Sequence, residues 1–185
     1  MRTLIAMTGA SGAVFGVDFL KRCPGDRYLI VSDWGKVVLK DECELTPKDL
    51  TEWTAQQFSD KDLTAPFSSG TNRTDAYVIV PCSASTLAKI AAGIGDTLIT
   101  RSAQVALKER RPLILALRET PLSTGTLENA LKLSREGAIV APIMPPFYNR
   151  PANLQALVEG YTNKLLSLIG VDTGPGWRSD ALEPR

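Results

Sequence analysis

The turn Thr8-Gly9-Ala10-Ser11-Gly12-Ala13 follows a short apolar run, Leu4–Met7, and consists only of small residues. Small side chains let backbone N–H groups approach an anion, and a helix predicted to begin at Gly12 adds its positive N-terminal end. The turn matches neither the G-x-G-x-x-G pattern nor a Walker motif with its lysine. It predicts a site for the phosphate of a nucleotide-type ligand, or else a tight turn that binds nothing.

Hydroxyl groups follow two other apolar runs. Ser32 comes directly after Tyr28–Val31, and the segment 82–86 (C-S-A-S-T) comes after Ala76–Val80 and one proline. These hydroxyls either bind a phosphate or a ribityl chain, or they only cap the helices predicted to follow. Cys82 is predicted to be a small packed residue rather than a nucleophile, because no base is apparent beside it.

Charged residues stand at two further positions of interest. Arg101 and Lys108 are spaced so that both lie near one face of a predicted helix, two turns apart. They predict either an anion site or an ordinary solvated face. Arg118 and Glu119 directly follow the apolar run Leu113–Leu117, where they either serve the site or pair with each other.

The segment Pro145–Pro151 is a stiff loop that carries two aromatic residues, Phe147 and Tyr148. Their rings are suited to wall an apolar pocket while the tyrosine hydroxyl contacts an anion. The alternative is that the loop simply packs against the core.

Composition excludes several classes of chemistry. The sequence has no histidine, which rules out Ser-His-Asp and Cys-His catalysis, histidine-based metal sites and a histidine general base. Its three cysteines are too few and too scattered for a disulfide framework or a CxxC metal site.

The formal net charge is only +1, so we expect a small ligand rather than nucleic acid or a membrane. A glycine turn within the first nine residues leaves no room for a signal-peptide core, and no apolar run of about 18 residues occurs, so we expect a cytoplasmic protein.

Short apolar runs alternate with helical patterns along the chain. Uninterrupted apolar strands between helices predict an α/β protein, a single Rossmann-like or flavodoxin-like domain whose mostly parallel sheet has helices on both faces. Ligands of such sheets bind at the carboxyl ends of the strands. We expect one domain over residues 1–173 and a loose polar tail over 174–185. The predicted strands are Leu4–Met7, Tyr28–Val31, Ala76–Val80 (stopped by Pro81), Pro112–Leu117 and Ala138–Ala141; the predicted helices are Gly12–Arg22, Gly35–Glu42, Pro47–Phe58 (capped by Thr46), Ser83–Ala92, Thr97–Glu109, Thr126–Glu136 and Leu154–Ile169.

Five ordered motifs together resemble the flavin prenyltransferase family over nearly the whole chain, from Leu4 to about Val171. They are T-G-A-S-G-A at 8–13, P-C-S-x-x-T-L-A at 81–88, L-x-x-R-x-x-x-x-x-L-K-E-R-R-P-L-I-L at 98–115, R-E-T-P-L at 118–122 and P-P-F-Y-x-R-P at 145–151.

The resemblance implies that the chain transfers a dimethylallyl group from dimethylallyl phosphate to N5 and C6 of reduced FMN. The product, prenylated FMN, would serve a UbiD-type decarboxylase. FMN is then a substrate that arrives reduced, and no metal is required. Members of the family form large homo-oligomers, dodecamers among them, with sites at subunit contacts.

The resemblance also implies roles for individual residues. Glu42 fits the family's glutamate on the loop after the second strand, and Ser11 lies close to the reacting flavin. Lys108, Lys164 and Tyr148 would stabilise the departing phosphate, and Glu119, Glu42 or Ser11 would move protons. The residues implied to bind FMN are Gly9, Ala10, Ser11, Ser32, Ser83, Ala84, Ser85, Thr86 and Arg101; those implied in catalysis are Ser11, Glu42, Lys108 and Glu119; those implied to bind the prenyl donor are Lys108, Arg118, Glu119, Tyr148 and Lys164.

Several positions depart from the family's pattern. Lys164 stands where many relatives have arginine, which keeps the charge but loses bidentate geometry. Ser85 stands where lysine is common, and Ser102 and Gln104 replace an alanine and an aspartate. The alternatives to a prenyltransferase are a non-catalytic protein that binds or carries FMN, and a flavin-dependent cysteine decarboxylase. The latter usually has a catalytic histidine and a P-A-S-A-N-T segment, neither of which occurs here.

Overall fold

The computed structural model describes residues 1–174. Its centre is a six-stranded sheet in which every strand pairs with its neighbours in parallel, in the order β3-β2-β1-β4-β5-β6. The strands are β1 (Arg2–Met7), β2 (Asp26–Val31), β3 (Gln56–Ser59), β4 (Ala76–Cys82), β5 (Leu113–Leu117) and β6 (Ile139–Val140).

Six α-helices cover both faces of this sheet. One face carries α1, α2 and α6, and the other carries α3, α4 and α5. The helices are α1 (Ala13–Arg22), α2 (Asp33–Cys43), α3 (Ala84–Ala91), α4 (Leu98–Lys108), α5 (Thr124–Arg135) and α6 (Leu154–Leu168).

The apolar runs form strands because both sides of each central strand are buried. Along β1, Ile5 and Met7 pack under one helical layer, whereas Leu4 and Ala6 pack under the other. A strand with only one buried face would alternate apolar and polar residues, and this strand does not. The predicted parallel sheet with helices on both faces is confirmed.

The strand order reverses direction between β1 and β4, which are neighbours in the sheet. A crevice opens outside the carboxyl ends of strands at such a switch point, and it is the usual ligand position in open α/β sheets. Here the crevice lies between the chain after Met7 and the chain after Cys82.

One predicted helix is wrong in its second half. The segment Pro47–Trp53 is a 3-10 helix, but residues 56–59 form the edge strand β3, which pairs with β2. Thr46 does begin this element: its backbone N–H and its hydroxyl both donate to the Asp49 carboxylate, at 2.7 Å each. The sequence Gln-Gln-Phe-Ser has no apolar run because β3 lies at the sheet edge and is only partly buried.

The prediction that Pro81 stops its strand is also wrong. β4 continues to Cys82, with a shift of register against β5 after Ile79. The Pro81 carbonyl accepts hydrogen bonds from the N–H and the hydroxyl of Thr8, at 3.1 and 2.9 Å. The irregularity at the proline therefore connects the ends of β1 and β4.

The remaining predicted strands and helices all occur, with ends within two residues of those expected. Among residues 1–174, the structure has no helix long and apolar enough to cross a membrane. The predicted tail lies outside the described residues, except for Gly174.

Candidate functional site

A cleft of about 250 Å³ opens at the carboxyl edge of the sheet, at the switch point between β1 and β4. Its walls come from the end of β1 and from the first turns of α2 and α3 (Thr8, Gly9, Ser32, Trp34, Ser83, Ser85 and Thr86). Of the residues predicted to bind FMN, Gly9, Ser32, Ser83, Ser85 and Thr86 line this cleft, whereas Ala10, Ser11, Ala84 and Arg101 do not.

Both serines that follow strands act as helix caps. The Ser32 hydroxyl accepts from the Gly35 N–H at 3.0 Å, and the Ser83 hydroxyl accepts from the Thr86 N–H at 3.2 Å. Capping does not remove them from the cleft, because both still line it. The Ser32 and Ser83 hydroxyls can therefore cap their helices and still contact a ligand in the cleft.

The first turn of α3 keeps two amides available. The N–H groups of Ala84 and Ser85 are the first two of the helix, and neither donates to another described residue. The Ser83 N–H, in contrast, donates to the Thr8 hydroxyl at 2.8 Å. The end of α3 that borders the cleft can thus accept an anion.

The first turn of α1 is different, because a carboxylate of the same chain already occupies it. One carboxylate oxygen of Glu42 accepts from the N–H groups of Gly12 and Ala13, both at 2.8 Å. Gly12 has φ of +103°, which glycine adopts readily and other residues rarely do. The prediction that a ligand phosphate sits on this N-terminus is wrong for the amides of Gly12 and Ala13.

Glu42 itself lies in the last turn of α2, not on a loop as expected from the resemblance. Burial would raise the pKa of its carboxyl, but hydrogen bonds from Ser11, Gly12 and Ala13 and the charge of Arg118 outweigh burial and hold that pKa below its usual value. Glu42 is therefore ionised at neutral pH. Ser11, Glu42 and Arg118 form one cluster beside the first turn, which we call the Glu42 cluster.

Gly9 has a packing reason to be glycine. A methyl group at position 9 would overlap the Cβ of Trp34, in the first turn of α2. The close approach places the start of α2 directly against the end of β1. The small residues of the first turn therefore serve helix packing as well as the cleft.

Arg118 and Glu119 do not pair with each other, since no ion pair joins them in the described chain. The Arg118 N–H donates to the Cys82 carbonyl at 3.0 Å, which fixes the loop at the carboxyl edge. A Glu119 carboxylate oxygen accepts from the Thr120 N–H at 3.0 Å, and Glu119 is exposed. Both side chains thus stand on the same edge as the cleft.

Arg101 and Lys108 share a face of α4, as their spacing predicts. The Arg101 Nε donates to the Ser68 carbonyl at 3.1 Å, and Lys108 lies beside Gly70 and pairs with Glu109. α4 runs antiparallel to the strands, so Lys108 is at the amino edge of the sheet, where Pro112 leads into β5. A single chain does not bring Lys108 to the cleft.

Tyr148 and Lys164 are also apart from the cleft. Tyr148 and its neighbour Phe147 are 67 % and 73 % exposed, so neither walls a pocket within one chain. Lys164 lies on the exposed side of α6 and forms no ion pair with a described residue. Their roles toward a prenyl phosphate remain predictions that require a second copy of the chain.

Cys82 is fully buried at the end of β4, and burial raises the pKa of its thiol to about 12. Such a thiol carries no appreciable thiolate at neutral pH. The structure thus confirms that Cys82 is a packed residue and not a nucleophile.

Six residues that line the cleft were not predicted from the sequence: Trp34, Asp60, Lys89, Thr97, Ile99 and Thr100. Asp60 follows β3, and because β3 was not predicted, the loop after it was not considered. Its carboxylate accepts from the Ile99 N–H at 2.9 Å, which occupies the start of α4. Lys89 pairs with Asp96 at 2.7 Å.

Comparison with known proteins identifies the family of the chain. The flavoprotein family model matches residues 1–162. The flavin prenyltransferase UbiX of Thermoplasma acidophilum is 45 % identical over 172 residues, which cover 92 % of this chain and 96 % of the relative.

Two solved structures are similar over nearly the whole chain. The crystal structure of AnUbiX (PadA1) in complex with FMN and dimethylallyl pyrophosphate has a TM-score of 0.90 at 37 % identity, covering 96 % of this chain and 98 % of that one. The dodecameric FMN-dependent UbiX-like decarboxylase of Escherichia coli O157:H7 has a TM-score of 0.92 at 39 % identity, covering 96 % and 99 %. The chain belongs to the flavoprotein family and, within it, to the UbiX-type flavin prenyltransferases.

Proposed function

We propose that this chain is a flavin prenyltransferase, which transfers the dimethylallyl group of dimethylallyl phosphate to N5 and C6 of reduced FMN. The observation that carries the proposal is the position of the cleft. It lies at the switch point of the sheet, with the free amides of α3 at its wall, and the first turn that contacts Glu42 continues from Gly9, which lines the cleft. The chain's membership of the UbiX-type family supports the same activity.

The cleft suits the phosphate and the ribityl chain of FMN. The free amides of Ala84 and Ser85 at the start of α3 suit the phosphate, and the hydroxyls of Ser32, Ser83 and Thr86 suit the polyol. This assignment replaces the start of α1 as the phosphate site, because Glu42 already satisfies those amides. Reduced FMN, when bound, supplies the two nucleophilic atoms that accept the prenyl group.

The Glu42 cluster is suited to accept protons from the flavin as it is alkylated. Glu42 is ionised at neutral pH, and Ser11 is one of the neighbours that lower the pKa of its carboxyl, so the two side chains are placed to pass a proton between them. Glu119 stands on the same edge and provides a second carboxylate. We assign these three residues to proton movement.

The departing phosphate needs positive charge, but the one lysine in the described lining of the cleft, Lys89, is already paired with Asp96. Lys108 and Lys164 are exposed and do not line the cleft, and Tyr148 is on an exposed loop. We propose that a homo-oligomer brings these residues from neighbouring copies to the cleft, where they stabilise the leaving phosphate and Arg118 assists. A dodecameric relative from Escherichia coli O157:H7 supports such an assembly.

We further propose that the product passes to a UbiD-type decarboxylase and that the protein works in the cytoplasm. Its three cysteines are free, which fits a reducing compartment. We also propose that residues 1–173 act as a single domain, followed by the polar tail 174–185.

The test is anaerobic incubation with reduced FMN and either dimethylallyl phosphate or the diphosphate, followed by mass spectrometry of the flavin. We expect prenylated FMN with one of the two donors. FMN binding without product from either donor would refute the prenyltransferase and favour the FMN carrier. Decarboxylation of a peptide ending in cysteine would favour the third alternative.

A further inference from the structure

Trp34 stands out among the residues that line the cleft. Its side chain is 74 % exposed, although tryptophan is ordinarily among the more buried residues. It is the one aromatic residue in the described lining of the cleft. A large exposed aromatic surface on the wall of a binding cleft suggests a ligand with an apolar face.

The start of α2 holds Trp34 in a defined place. Its Cβ lies against Gly9, where a larger residue would collide with it. The Ser32 hydroxyl caps the same turn, and the Asp33 carboxylate pairs with Lys36 and Lys61 at 2.9 Å each. Lys61 comes from the loop after β3, which also carries the cleft residue Asp60. The Asp33–Lys61 ion pair therefore connects the start of α2 to that loop.

The chemistry of the cleft is divided between its parts. The start of α3 offers hydroxyls and amides, which suit a phosphate and a polyol, whereas the indole of Trp34 offers a flat apolar surface. Aromatic rings attract other flat rings in stacked or edge-to-face arrangements. FMN combines both chemistries, with a ribityl phosphate at one end and a tricyclic ring at the other.

We propose that Trp34 contacts the isoalloxazine ring of bound FMN and acts as a positioning residue that sets the ring's place relative to the Glu42 cluster. This inference rests on the proposed flavin site. It adds a specificity-determining residue that neither the motifs nor the predicted site residues include. It also gives a physical reason for Gly9, which admits the indole to the cleft.

The binding test compares FMN with ribitol 5-phosphate, which lacks the ring. Replacing Trp34 with alanine (W34A) should weaken oxidised FMN binding by roughly tenfold, as expected for the loss of one aromatic contact. The affinity for ribitol 5-phosphate should stay nearly unchanged. W34F should lie between, because phenylalanine keeps part of the flat surface. Equal losses for both ligands in W34A would overturn the proposal, because they would show that Trp34 does not act through the ring.

The spectroscopic test uses the fluorescence of the bound flavin, excited in the visible where tryptophan does not absorb. An indole in contact with the isoalloxazine quenches this emission by electron transfer, and phenylalanine does not. Trp177 lies outside the described residues, so all variants carry W177F. We expect W34F to raise the emission of bound flavin several-fold.

The matched control is W53F. Trp53 contacts Lys21, in the last turn of α1, and does not line the cleft. It should leave flavin emission and FMN affinity unchanged. If the protein binds FMN but W34F leaves the emission of the bound flavin unchanged, this inference is wrong and the proposed function is unaffected. No FMN binding by the wild-type chain would overturn the proposed function and this inference together.

Discussion

Replacing Glu42 with glutamine or alanine tests the carboxylate that occupies the start of α1. Glu42 accepts two backbone hydrogen bonds there, from Gly12 and Ala13. Loss of a cap of this kind costs about 1 kcal/mol, and loss of a negative charge from a helix N-terminus costs about 0.3–1 kcal/mol more. We therefore expect E42A to lower the free energy of unfolding by about 2 kcal/mol and E42Q, which keeps an acceptor, by about 1 kcal/mol.

The pH dependence has a definite sign. The pKa of Glu42 is lower in the folded chain than in the unfolded chain, so its charge stabilises the fold above the unfolded pKa of about 4.3. That contribution is lost as the pH falls through the folded pKa. The stability difference between wild type and E42Q should be full near pH 7 and shrink below about pH 4.

The assay is urea unfolding at one fixed protein concentration, because association between copies makes stability depend on concentration. D41N is the matched control: Asp41 is an exposed neighbour in α2 whose side chain makes no hydrogen bond or ion pair with a described residue. Equal stability of E42Q and D41N near neutral pH, or a difference that grows toward acid, would refute the reasoning.

Three further predictions follow from the site. E119Q and K108A should keep FMN affinity, measured by titration, but lose turnover; full activity in either would show that its assigned role is wrong. G9A should lower the free energy of unfolding by about 1–3 kcal/mol and weaken FMN binding because it displaces Trp34, and unchanged binding with unchanged stability would contradict the close approach. C82A should keep turnover, since the buried thiol is not ionised, and abolished turnover in a folded C82A protein would reverse that conclusion.

The sheet and its helices were predictable because the central strands are buried on both faces. Residues such as Ile5 and Leu4 face opposite helical layers, so their runs are apolar without interruption. β3 was not predicted because an edge strand needs fewer apolar residues. It forms by pairing with the free edge of β2. The order of the strands also depends on such pairing, which no local pattern encodes.

The site was predictable only in part, for a similar reason. The motifs identified the loops at the carboxyl edge, and Ser32 and Ser83 are where they indicated. Glu42 reaches the first amides of α1 only because α2 packs against α1. Ala13 and Glu42 are 29 residues apart in the sequence, so no local pattern shows this contact. The distance between Lys108 and the cleft likewise depends on the direction of α4 across the sheet.

The most direct test of the central claim is transfer of an isotope label from donor to flavin. Dimethylallyl phosphate with deuterium in its dimethylallyl group is mixed with reduced FMN and the wild-type protein without oxygen, with the diphosphate as a parallel donor. The account predicts that mass spectrometry finds the deuterium in the flavin, with inorganic phosphate or diphosphate released in equal amount. Flavin that binds yet stays unlabelled with both donors would contradict it.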